Sequence, residues 1–76
     1  MPHIIVKLVA GRAELQKRRL AEAVTHAVIS ALHCDAEAVS VALEEVWLED
    51  WAETVYRPEI LGNMESLYKK PGYNPL

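Results

Sequence analysis

Cysteine is nearly absent from this chain: Cys34 is its only thiol. One thiol cannot close an intrachain disulfide, and neither a paired-cysteine zinc spacing nor a Cys-x-x-Cys redox motif can be drawn. A lone unpaired cysteine fits a reducing compartment. Long apolar runs are missing too. No stretch approaches the roughly 18 to 20 residues needed to span a bilayer, and the amino terminus does not show the charged, apolar and cleavage regions of a signal peptide. A cytoplasmic protein with no membrane partner is therefore expected. Positive charge is also scarce: 8 Lys and Arg stand against 11 Asp and Glu, for a net charge of −3. Phosphate binding needs clustered cations, so nucleic acid is not the expected partner. Repeats and low-complexity stretches are likewise lacking.

What is present is a small apolar domain. Its 76 residues are 51% hydrophobic, yet a chain of this size buries only a modest core, and hydrophobic gain roughly balances conformational entropy. With no staple available, the missing stabilisation is expected from another copy of the chain. A single domain over residues 1–76, assembled as a homo-oligomer, follows.

The pattern along the chain is that of a βαβ unit, an α/β (α+β) protomer. His3 to Val9 is rich in β-branched residues and apolar at both parities, as in a strand buried on much of both faces. Gly11 punctuates the chain, and from about Ala13 to Leu32 an apolar stripe of Leu20, Val24, Val28 and Leu32, joined by Ala27 and Ala31, predicts a long helix. Ala38 to Val46 alternates as a second strand, parallel to the first through a right-handed crossover. Two strands are too few for a stable sheet, so a second subunit is expected to complete it. Pro58 predicts the first residue of a C-terminal helix, where its missing N–H would be unpaired anyway. Ile60, Leu61, Met64, Leu67 and Tyr68 would form its apolar face.

Pro2 is the residue with the most chemical content. Removal of Met1, which small second residues generally permit, would turn it into a secondary amine on a rigid ring, a group no internal proline has. A strand starting there would hold that amine still, and apolar surroundings with a nearby cation would move its pKa toward working pH. Arg12, just after the first strand, offers a planar fork to a carboxylate. Other conspicuous residues read more plainly. His26 and His33 have no accompanying carboxylates, so no metal site is expected. Cys34 reads as a structural or surface thiol, His3 as a strand histidine, and Trp47, Tyr56 and Tyr68 as packing residues.

Several segments carry a family resemblance. Met-Pro-His-Ile at the start, Gly11-Arg12, the helix opening Glu14-Leu15-Gln16-Lys17 and the strand Val39-Ser40-Val41 resemble the 4-oxalocrotonate tautomerase family. Leu43-Glu44-Glu45-Val46 leading to Glu49-Asp50-Trp51, then Met64-Glu65-Ser66-Leu67 and Lys69-Lys70-Pro71-Gly72-Tyr73, are similar to its longer bacterial PptA subgroup. The resemblance implies a cofactor-independent keto–enol tautomerase. Pro2 matches the family's general base and acid, Arg12 its carboxylate-binding arginine, and Trp51 the aromatic residue that lowers polarity around the proline. The Trp51 indole N–H is also a possible donor to substrate. Ser40 stands where the founding tautomerase has an arginine that polarises the substrate oxygen. A neutral hydroxyl can orient a substrate but not supply that charge, so a mono-acid enol such as an aryl enolpyruvate is expected rather than a dicarboxylate.

Two other functions are open at this stage. One is a non-catalytic α/β dimerisation or ligand-binding module that kept the fold and lost the activity. The other is hydration or dehalogenation of an unsaturated acid, with Glu44 or Glu45 activating water. The shortest family members form higher assemblies and the PptA-like chains dimers, so the resemblance implies a dimer in preference to a hexamer.

Overall fold

The structure, a computed structural model, describes residues Met1–Leu76. Strand β1 runs over His3–Val9, helix α1 over Glu14–Leu32 and strand β2 over Ser40–Val46. β1 and β2 pair in parallel, with His3 beside Ser40, Val6 beside Leu43 and Val9 beside Val46. A single 3-10 turn at Ala36–Ala38 separates α1 from β2. No helix is long and apolar enough to cross a membrane.

Partners in a parallel pair share a face, so Ile4, Val6 and Leu8 lie with Val41, Leu43 and Glu45. An ion pair between Lys17 of α1 and Glu45 sets α1 on that face. The helix residues drawn in are Leu20, Ala21, Val24, Thr25, Val28 and Ile29, all half-buried, whereas Ala27, Ala31 and Leu32 are exposed. The stripe therefore sits toward Thr25 and Ile29 rather than toward the small alanines expected to extend it. Thr25 turns its hydroxyl inward onto the Ala21 carbonyl at 2.8 Å, which lets a polar residue face the sheet. His33 ends α1 with a left-handed backbone, φ 54°, and its N–H donates to the Ile29 carbonyl at 2.9 Å. Its conspicuous position is that of a helix cap.

The second face carries His3, Ile5, Lys7 and Val9. Lys7 pairs with Glu59, which brings the C-terminal segment to this side. That segment departs from the expected helix. It begins at Ala52, not Pro58, runs to Ile60 with wide, π-type turns, and then tightens into 3-10 turns over Leu61–Ser66. Pro58 lies in its interior. In an α-helix the proline ring strikes the carbonyl four residues back, and a wider turn relieves that clash. Asn63 kinks this stretch, beyond Ser66 no regular helix remains, and Tyr68 points fully into solvent.

Val55 and Tyr56 are the only buried residues, each 4% exposed. Ile5, Leu15, Trp47, Leu48 and Tyr73 are among the large apolar side chains left in water. A chain that is half apolar has thus almost no core of its own.

Candidate functional site

The sheet presents chemistry at both of its ends. At the β1 start, the Ser40 backbone N–H donates to the Pro2 carbonyl at 3.2 Å, fixing Pro2 against the head of β2. On the same face the His3 Nδ1 and the Ser40 Oγ form a 2.6 Å hydrogen bond. Pro2, His3 and Ser40 therefore make one cluster, and it is open: His3 and Ser40 are exposed and Met1 stands entirely in solvent.

At the other end β1 runs out through Ala10 into Gly11, whose φ of 129° is a left-handed conformation that suits glycine. This bend delivers Arg12 over the strand end, where its Nη1 donates to the Val9 carbonyl at 3.2 Å. Arg12 has no carboxylate partner in the chain, so the rest of its fork is uncommitted. Here lies a cavity of about 660 Å³, within the usual range for small-molecule sites. Leu8 and Val9 form its floor, and the turn after β2 contributes Leu48, Glu49 and Trp51. The C-terminal tail closes one side with Tyr73 and Pro75.

Trp51 and Tyr73 hold each other. The indole Nε1–H donates to the Tyr73 Oη at 2.9 Å, and the Tyr73 ring packs on buried Tyr56 with centroids 5.7 Å apart. The expected indole donor is therefore already used inside the chain. Tyr73, which enters the sequence reading only as the end of the Lys69–Tyr73 segment of the resemblance and without a role, is a wall of the cavity. Glu49 likewise enters only within the Glu49-Asp50-Trp51 segment, with no role of its own. Its exposed place in a short turn gave no periodic signal, and only the fold brings it to the same cavity as Arg12.

The structure thus gathers Arg12 with Trp51 at one end and Pro2 with Ser40 at the other, and does not join the two groups. They are separated by a seven-residue strand of about 20 Å at the usual rise per residue. Glu44 and Glu45 make ion pairs with Lys7 and Lys17, and their register opposite Lys7 and Leu8 sets them away from the Pro2 of their own chain.

Both ends fall within a stretch that comparison with known proteins picks out. Residues 2–56 match the model of the tautomerase enzyme family. The chain is 45% identical over its whole length to a probable tautomerase of Xylella fastidiosa, covering 93% of that protein. It is 38% identical to tautomerase PptA of Cronobacter sakazakii, over 96% of this chain and 97% of that one. Among solved structures, one from a study of the 4-oxalocrotonate tautomerase isozymes of Methylibium petroleiphilum superposes with a TM-score of 0.62 at 33% identity, over 63% of this chain and 75% of that one. With its βαβ frame and a match that begins at Pro2 and runs through Arg12, Ser40 and Trp51, this chain belongs to the tautomerase family and is an isomerase of that kind.

Proposed function

We propose that the protein is a cofactor-independent keto–enol tautomerase of small enol monocarboxylic acids, such as aryl enolpyruvates, working as a homodimer with Pro2 as general base and acid. In this reading Met1 is removed and the Pro2 secondary amine takes the enol hydroxyl proton. The O–H electron pair then becomes the carbonyl π bond, the carbon–carbon π pair moves to C3, and Pro2 returns the proton there. No oxidant or metal enters that balance. Arg12 holds the carboxylate, Trp51 and the apolar floor lower the polarity around the amine, and Ser40 orients the substrate oxygen. The full exposure of Met1 favours its removal.

The observation that carries the proposal is the division of the site between two sheet ends. If the β1 strands of two copies pair antiparallel about Val6, His3 of one stands opposite Val9 of the other, and Pro2 opposite Ala10, two residues from Arg12. Pairing through β2 instead would leave the two β1 strands about 14 Å apart at the usual strand spacing. A β1–β1 dimer is thus the simplest assembly in which Pro2 meets Arg12 and Trp51. The domain in this reading covers 1–76, because Tyr73, beyond the matched stretch, packs on Tyr56 and Trp51.

The experiment is ketonisation of phenylenolpyruvate by wild type and Pro2→Ala, with the mass of the mature protein measured alongside. Loss of Met1 and a fall in kcat/KM of about 10²- to 10⁴-fold in the variant are expected for a general base. Undiminished activity in Pro2→Ala, or full activity in protein retaining Met1, would mean that another group catalyses the reaction, and no turnover by wild type lacking Met1 would leave a non-catalytic module.

A further inference from the structure

We propose that Glu49 and Tyr73 select the substrate at the Arg12 cavity, Glu49 by repelling a second carboxylate and Tyr73 by offering a fixed platform to an aromatic ring. This rests on the reading of Arg12 as the carboxylate clamp, and it names residues to which neither the sequence motifs nor that reading gave a role.

Charge comes first. The cavity is lined by one cation, Arg12, and one anion, Glu49, with mainly apolar side chains around them. Neither takes part in any ion pair of the chain. A monocarboxylate can use Arg12 and keep its uncharged end near Glu49. A dicarboxylate must bring its second charge toward that anion within one small cavity, and like charges at such separations repel.

Shape comes second. Tyr73 lies on a segment without regular secondary structure, yet it is held at two points, its Oη by the Trp51 indole and its ring by a tilted contact with Tyr56. A ring fixed in this way offers an offset or edge-to-face contact to an aryl group without a further ordering cost. Its hydroxyl accepts from Trp51, and its own proton is left to donate.

Calorimetric binding of unreactive acids tests this on the whole protein. The probes are trans-cinnamate, crotonate as the aliphatic monoacid, and trans,trans-muconate as the diacid. Glu49→Gln, nearly isosteric, is expected to tighten muconate binding about tenfold and to leave cinnamate within about twofold, the scale of one charge interaction across such a pocket. Tyr73→Ala is expected to weaken cinnamate about tenfold and crotonate little, on the scale of one aromatic contact. Tyr73→Phe, which keeps the ring if the tail loosens in the alanine variant, should recover most of the cinnamate affinity. Unchanged muconate-to-cinnamate selectivity in Glu49→Gln, or equal losses of cinnamate and crotonate in Tyr73→Ala, overturns the inference while the tautomerase reading stands. Cinnamate binding that survives Arg12→Ala intact removes the clamp, and this inference with it. Pro2→Ala reports separately on the base, since that variant should bind cinnamate normally and turn nothing over.

Discussion

Residue types carried much of the chemistry. A proline at position 2 and an arginine behind a strand are readable as a candidate base and a candidate anion clamp once the strand and the family resemblance stand beside them. The hydrogen bond from His3 to Ser40 was not legible, because it joins residues 37 apart that meet only once the parallel register is set. Gly11 shows how one residue can govern the site without touching a ligand. A Cβ there would meet nothing within 4 Å, so crowding is no obstacle, but its φ of 129° is one that other residues adopt only under strain. Gly11→Ala is therefore expected to cost about 1 to 3 kcal/mol, read as a lower urea midpoint. Because the bend aims Arg12, the same variant should raise KM for an aryl enolpyruvate more than it lowers kcat. A variant with wild-type stability and KM would show that the loop has another conformation open to it.

Elements were legible in proportion to their periodicity. β1 and α1 fall where the apolar pattern puts them, and β2 starts two residues late only because Ala36–Ala38 coils first. The C-terminal helix was misplaced because Pro58 was given the one α-helical position that suits proline, whereas wide turns admit it to an interior. Pairing of α1 with the sheet depends partly on Lys17, which bridges Glu14 at 3.3 Å and also meets Glu45. Hydrogen bonds to Glu45 and then to Glu14 hold its pKa above the ordinary lysine value. A raised pKa means that the protonated form is favoured by folding. The contribution is complete below the unfolded lysine pKa, about 10.4, and is lost as pH rises through the higher folded value. Wild type should therefore lose stability above about pH 10 more steeply than Lys17→Met, whose midpoint is lower at neutral pH. Parallel slopes in chemical denaturation from pH 8 to 12 would show that the tether contributes nothing, as solvent-facing ion pairs often do.

At the scale of the whole molecule the chain exposes more surface than a self-contained domain of its size. A compact monomer of this mass would expose about 4,700 Å², and this one exposes 5923 Å². Its radius of gyration is 14.0 Å, against about 11 Å for a compact domain of its length. The excess surface is on the order of 1,200 Å², what a protomer gives to a large obligate interface. The sequence announced this through its apolar content without a staple. It could not announce that Pro2 and Arg12 lie at opposite ends of the sheet, because motifs align along one chain and the geometry that separates them exists only in the fold. Mixing two crippled variants decides whether two chains share each site. In a dimer of Pro2→Ala with Arg12→Ala, one site receives the intact Pro2 of one copy and the intact Arg12 of the other, and the second site receives neither. After equal mixing and subunit exchange about half the dimers are mixed, so about a quarter of wild-type activity should return from two nearly inactive preparations. If instead Pro2 and Arg12 served one site within a single chain, no pairing could restore it, and activity would stay at the average of the two variants however long they exchanged.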